Sequence, residues 1–316
     1  MEVGGTFLFA LLSKTTLIRA LVVICALLAC ACDPTRHGAE SSSTTREITD
    51  DAGRRVSLPA RVDRVVSLAP NLTEIVFAVG AGDRLVGNTT YCDYPAEAKT
   101  IAKVGDSMQP SLERIIALRP QVVLISTASQ LEVFTRQLQD RNIAVFVTDP
   151  HDLEGIFRSI EQVGQILGQT EQATQLVKSL RERVTAVEQA VAQAKPVRVF
   201  YQVSGEPLYA AGRDSYVSDL IRRAGGSSVT ADVPGAWPKY SNESALAARP
   251  EAIILPTGGS MGAANSTVAE ALRSSPAVLS ERVYKINDDY LARPGPRAVD
   301  GLEAMAHALH PEAFKP

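Results

Sequence analysis

SLERIIALRPQVVLI, residues 111–125, returns 130 residues later as SNESALAARPEAIIL, residues 241–255. Five positions are identical at that offset: Ser111/Ser241, Glu113/Glu243, Ala117/Ala247, Arg119/Arg249 and Pro120/Pro250. Each copy reads as a short helix, a proline stop and a buried strand. The chain is therefore expected to form two similar lobes, each carrying one glutamate at the same structural place. Matched lobes imply a cleft between them and a surface that a partner can grip at two points.

Working outward, strands and helices alternate on both sides of each copy. In the first half, residues 48–58 read as a hairpin around Gly53, 62–68 and 84–88 as strands, and 71–79 as a helix. Residues 91–95 form a loop, 142–148 a strand and 153–167 a helix closed by Gly168. The second half reads as strand 197–203, loop 209–213, helix 215–224, loop 232–240 and then the second copy. A Gly/Ser/Asn-rich loop at 257–266, helix 267–273, strand 282–286, loop 287–296 and helix 297–309 follow. Between the halves, residues 171–194 place apolar side chains at 173, 176, 177, 180, 184, 187 and 191, one face of a helix roughly 36 Å long. Such a helix can bridge two domains or cover one sheet, and periodicity does not choose. The pattern is α/β: two lobes with mainly parallel sheets, 47–167 and 196–316, joined by one helix within 168–195.

The N-terminus has the form of an export signal. Lys14 and Arg19 precede an uncharged run, Ala20 to Cys32, too short for a membrane span of about 20 residues. Leu27-Leu28-Ala29-Cys30 resembles a lipobox, making residues 1–30 a lipoprotein signal peptide and Cys30 the lipidated residue. Residues 31–46, polar and rich in Ser and Thr, read as a flexible tether. Of the 4 cysteines only Cys92 lies in the globular part, so no disulfide framework or metal cluster can be built there. With 32 basic and 35 acidic side chains, the chain has no basic field for nucleic acid.

Glu113 and Glu243 stand in the opening turns of their helices, where a carboxylate favours the positive end of the dipole. Capping alone accounts for one of them. Their duplication points instead to paired contacts with arginines of one partner, which set register and speed encounter. Arg119 and Arg249 fit a structural role at the helix ends. Tyr91, Tyr94, Tyr209, Trp237, Tyr240 and Tyr290 lie in or beside loops that converge at one sheet edge, where they can stack on a large, flat, partly apolar ligand or pack loop against loop. Arg213 and Arg293 can pair with a ligand carboxylate or amide, or be solvated. Asp288 and Asp289 are ambiguous. No GxSxG, HExxH, P-loop or GxGxxG is present.

Six segments carry a family resemblance: VVSLAPNLTEIVFAVGAGDRLVG (65–87), YCDYP (91–95), SLERIIALRPQVVL (111–124), GRDSYVSDLIRRAGG (212–226), WPKYSNESALAARPEAIIL (237–255) and RPGPRAVDGLEAMAHAL (293–309). The chain from about 48 to 310 resembles the periplasmic substrate-binding proteins of ABC importers for vitamin B12, ferric siderophores and haem, the class with a rigid helical backbone, most of all its B12-binding branch. The resemblance implies a ligand held between two lobes, with Glu113 and Glu243 docking on a permease dimer served by cytoplasmic ATPase subunits. It implies no intrinsic cofactor and no catalysis. It also implies a monomer before docking, lipid-anchored on the outer face of a bacterial membrane. Carried over by position, Tyr91, Trp237 and the Arg293 region are the corrin contacts of a cobalamin-like ligand. The chain departs from the B12 pattern at residues 105–109, which contain no tryptophan. Haem would call for an iron ligand such as Tyr91, Tyr94 or Tyr209. A reading of another class is a secreted α/β hydrolytic enzyme using the same cleft.

Overall fold

Ser111 and Ser241 both hold extended backbone and cap a helix. The Ser111 hydroxyl accepts from the Arg114 N–H and the Ser241 hydroxyl from the Ser244 N–H. In this computed structural model, which describes residues 45–126, 132–258 and 267–315, the capped helices are α2 (Leu112–Ala117) and α7 (Asn242–Ala248). Each leads into a buried strand, β5 (Val122–Ser126) or β10 (Ala252–Thr257). An arginine lying before α2 or α7 in the chain seals each helix end. Arg64 donates to the carbonyls of Leu118 and Arg119, and Arg198 to that of Ala248. Those carbonyls have no partner inside the helix.

The two central sheets share one design. In the first, β4 (Leu85–Asn88), β3 (Val65–Ser67), β5 and β6 (Ala144–Thr148) lie side by side, all parallel. In the second, β7 (Val197–Gly205) pairs in parallel with β10 and with β9 (Gly226–Ser228), and β11 (Val283–Asn287) flanks β10. Strand β8 (Leu208–Ala210) adds an antiparallel hairpin to the later half of β7. Laid over one another, β4-β3-β5-β6 match β9-β7-β10-β11. Side chains alternate across each sheet. Val122 and Leu124, like Ala252 and Ile254, enter one shared core, whereas Val123 and Ile125 enter an outer cluster with Ile115. Ile253 and Leu255 enter the equivalent cluster with Ala245. The repeat thus preserves register as well as topology.

Helix α5 (Thr170–Val191), 22 residues and so about 33 Å long, lies against both halves. It packs on α4 (Leu153–Ile166) from the first, and on α6 (Tyr216–Arg223) and α10 (Ala298–Leu309) from the second. Ala173, Val177, Leu180, Val184, Val187 and Val191 are its buried stripe, with Leu176 at the margin. A Cβ at Gly164 would come within 2.3 Å of the Ala173 Cβ, so glycine is what lets α4 and α5 approach. This helix is the strut, and its apolar face is part of the core the two sheets share.

Several boundaries differ from the sequence reading. Strand β1 (Thr45–Thr49) pairs with β2 (Arg55–Pro59), so residues 45–46 belong to the hairpin and not to the tether. The Arg46 guanidinium donates to the carbonyls of Gln165 and Ile166, which fixes that end on α4. The helix expected over 267–273 is a single turn, Glu270–Leu272, followed by α8 (Pro276–Leu279). The loop expected over 287–296 contains α9 (Asp288–Leu291). Helix α3 (Glu132–Gln139) carried no assignment. Cys30, the signal-like segment and residues 31–44 of the tether lie outside the described residues. No described helix is long and apolar enough to cross a membrane.

Candidate functional site

Strand β3 runs into α1 (Pro70–Ala78), β4 leads to the Tyr91–Pro95 loop, and β11 ends at α9. These three strand ends meet in a buried ion-pair network. Arg293, only 2% exposed, sets Nη1 3.0 Å from Glu74 Oε1 and 2.9 Å from Asp93 Oδ1, and Nη2 2.9 Å from Asp289 Oδ1. Arg297 holds both Glu74 oxygens, at 2.9 and 2.6 Å. The Asn71 amide donates to the Pro294 carbonyl. Residues of the first half (Asn71, Glu74, Asp93) are thereby tied to residues of the second (Asp289, Arg293, Arg297).

Arg293, read as a ligand contact, is enclosed by three carboxylates and ties the halves together. Burial by itself would lower its pKa, and the hydrogen bonds it donates to Glu74 and Asp93, with the nearby carboxylate charges, outweigh that. Burial, and then Asp289, pushes the Asp288 carboxyl upward.

The aromatic candidates divide into exposed and supporting residues. Tyr94, 47% exposed, lies with its ring 4.1 Å from the Arg297 guanidinium, a cation–π contact that joins it to the network. Trp237, 41% exposed, rests against Tyr201 at 6.4 Å and edge-on against Tyr216 at 6.3 Å. Burial raises both phenol pKa values, so these supports are neutral. The Tyr216 hydroxyl donates to the Leu291 carbonyl, linking the Trp237 station to the segment that carries Arg293.

The backbone fixes the Trp237 loop. Gly212 N–H donates to Ala236 O and Ala210 N–H to Pro238 O, and the Asp214 carboxylate accepts from Gly235 N–H at 2.7 Å. A Cβ at Gly212 would sit 2.2 Å from Gly235 O. Tyr91 and Tyr209 are half-buried. Tyr240 packs on Phe200 in the outer cluster of the second half, and Tyr290 lies on the shared core, 5.6 Å from Arg297.

Glu113 and Glu243 are exposed at equivalent positions of α2 and α7. Neither is ion-paired with a described residue. The Glu243 pKa is lowered by its own backbone N–H and by the Ser241 hydroxyl.

Sequence reasoning missed Glu74, Asp93 and Arg297, and the supports Tyr201 and Tyr216. Glu74 had a signal: a lone carboxylate among the apolar residues of α1 is either exposed or paired in the interior. The tyrosines had none, because their partners lie far along the chain. No group of metal-ligating side chains occurs among the described residues.

The family model described as periplasmic binding protein matches residues 65–290, and the chain belongs to that family. Its two α/β lobes with mainly parallel sheets on a helical strut are the class III arrangement, and it is a binding protein rather than an enzyme. It is 32% identical over 275 residues to an uncharacterized ABC transporter substrate-binding lipoprotein, YvrC, of Bacillus subtilis, covering 85% of this chain and 86% of that one. The structure is similar to the periplasmic vitamin B12 binding protein BtuF of Vibrio cholerae: TM-score 0.70, 27% identity, 81% of this chain and 99% of that one. It is equally similar to the periplasmic heme-binding protein RhuT of Roseiflexus sp. RS-1: TM-score 0.71, 25% identity, 80% and 99%.

Proposed function

We propose that this chain is the extracytoplasmic solute-binding component of an ABC importer and that it captures a corrinoid between its lobes. The observation that carries the reading is the pair of exposed rings, Trp237 and Tyr94, each mounted at strand ends of a different lobe and joined through the 288–297 segment. Apolar faces of this kind suit a broad macrocycle. Tyr91 and Tyr209 flank these stations, and Tyr240 and Tyr290 support the loops around them. Permease docking falls to Glu113 and Glu243, whose matched, exposed positions suit two arginine sockets of a dimeric pore. Cys30 supplies a lipid anchor, holding the protein at the outer face of the membrane as a monomer until it docks.

Haem is the second reading, favoured by the exposed Tyr94 phenol as an iron ligand and by the missing tryptophan at 105–109. Titration with cyanocobalamin and, separately, with hemin tests both. Stoichiometric quenching of Trp237 by cyanocobalamin supports the corrinoid reading. A Soret band lost on Tyr94→Phe supports haem.

A further inference from the structure

We infer that the cleft discriminates by charge, accepting corrinoids whose peripheral side chains are amides and rejecting those with side-chain carboxylates, with Asp93 as the specificity-determining residue. This rests on the corrinoid reading above and adds the chemical form of the ligand.

At the strand ends two guanidinium groups, Arg293 and Arg297, are ion-paired with Glu74, Asp93 and Asp289. In these pairs three carboxylates face two cations. Lys103, the next cation behind the Tyr91–Pro95 loop, gives its ammonium protons to Asn88 Oδ1, Cys92 O and Ala98 O. Arg213 lies 3.6 Å from Asp214. The segments that follow β5 and β10, residues 127–131 and 259–266, contain no ionisable side chain. Among the described residues, then, the arginines of the network are already matched to protein carboxylates. Lys239, exposed and two residues from Trp237, is a further cation near that ring, so it is at the network beside Asp93 that a ligand carboxylate would have to displace one of those or sit unpaired.

Asp93 is where this balance reaches the ligand. It lies between Tyr91 and the exposed Tyr94, and its side chain is 31% exposed. Oδ1 is held by Arg293, and Oδ2 has no partner among the described residues. An ionised carboxylate can only accept hydrogen bonds. A ligand amide N–H meets it with a charge-assisted bond. A ligand carboxylate meets it with like-charge repulsion, strengthened by the low dielectric of a closed cleft. The same balance works against the two propionates of haem and against anionic ferric siderophores.

The test compares cyanocobalamin with its mono-acids, each made by hydrolysing one propionamide, by fluorescence titration of the full chain. At least one mono-acid should bind about 10-fold more weakly or worse in low salt, the gap shrinking as salt screens the repulsion. Asp93→Asn, which keeps an oxygen for Arg293, should bring that mono-acid within about threefold of cyanocobalamin. All mono-acids binding like cyanocobalamin, or a gap unmoved by both salt and Asp93→Asn, overturns the inference and leaves the corrinoid reading intact. Failure of cyanocobalamin itself to bind overturns the corrinoid reading, and the inference with it.

Discussion

Arg119 and Arg249, 130 residues apart, both hold left-handed backbone, with φ of 47° and 42°, and each is followed by a buried proline. A non-glycine residue there costs roughly 1–2 kcal/mol. The same unfavourable turn occurs twice because the same task does: a short helix must reverse into a strand that begins two residues past the proline. Arg64 and Arg198 then cover the carbonyls that the turn exposes. Sequence identity at these positions therefore reflects a shared backbone path.

Arg249→Gly should stabilise the protein. Relief of the left-handed strain is partly offset by glycine's larger unfolded-state entropy, leaving about 0.5–1 kcal/mol. Arg249→Val should destabilise it, because a β-branched side chain tolerates positive φ least. Urea melts of both variants check the pair. A glycine variant less stable than wild type would mean the arginine side chain contributes more than its backbone costs.

Arg293→Ala should cost about 3–5 kcal/mol, the usual penalty for removing one partner of a buried ion pair. Glu74 keeps Arg297, but Asp93 loses the ion pair it makes with Arg293. A thermal melt reads the loss. Arg293→Lys should recover only part of it, since one ammonium cannot reproduce the fork that reaches Glu74, Asp93 and Asp289 together.

What was legible in the sequence was local or repeated. Six of the seven apolar positions expected for α5 are buried, with Leu176 at the margin, and the 130-residue offset predicted α2–β5 and α7–β10 with matching register. The exposed positions of Glu113 and Glu243 followed from their place in the first helical turn. The partners of Arg293 were not legible, because Glu74, 219 residues earlier, and Asp93, 200 residues earlier, close around it only in the fold. Such long-range pairing leaves no periodic trace. Helix α9 was missed for a smaller reason: its cap is the Asn287 side chain on the Asp289 N–H, at the end of a strand and without an apolar stripe.

Trp237→Ala should weaken corrinoid binding about 10- to 100-fold, the range for an aromatic anchor. Trp237→Phe should retain most of the affinity. The indole is exposed on one side and rests on Tyr201 and Tyr216 on the other, so the fold should survive its loss. Calorimetric titration checks this. Undiminished binding by the alanine variant would remove Trp237 from the site.

Glu113→Lys and Glu243→Lys should each slow association with the permease about 10-fold at low salt, and together abolish corrinoid uptake. Cyanocobalamin affinity should not move, because both glutamates are exposed and unpaired with described residues, while the melting temperature should fall slightly as each helix start loses its favourable charge and Glu243 its hydrogen bond from Ser241. Surface plasmon resonance against reconstituted permease separates the effects. A loss of ligand affinity would place these residues in the ligand site instead.

Two contacts from the end of β6 and the start of α4 to the second half should give opposite pH responses. Asp219 accepts from the Leu153 N–H at 3.2 Å and from Arg223 at 2.8 Å, with Arg222 also on its carboxylate. Burial raises its pKa, but the arginines and the Leu153 N–H together overcome that and hold it below 3.8. A depressed carboxylate stabilises the fold above its unfolded value, near 3.9, and that stability is lost as pH falls through the folded pKa. His151 runs the other way. Its Nδ1 lies 2.9 Å from Asp214 O, and that hydrogen bond, opposed by burial and helped by Asp149, raises its pKa above 6.5. Its contribution is complete below about 6.5 and is lost as pH rises through the folded value. Stability should therefore be greatest between these limits. Urea melts from pH 3 to 8 should show Asp219→Asn losing acid sensitivity and His151→Gln losing the decline at neutral pH. An acid limb unchanged in Asp219→Asn would assign that sensitivity to other carboxylates and leave this contact without a part in it.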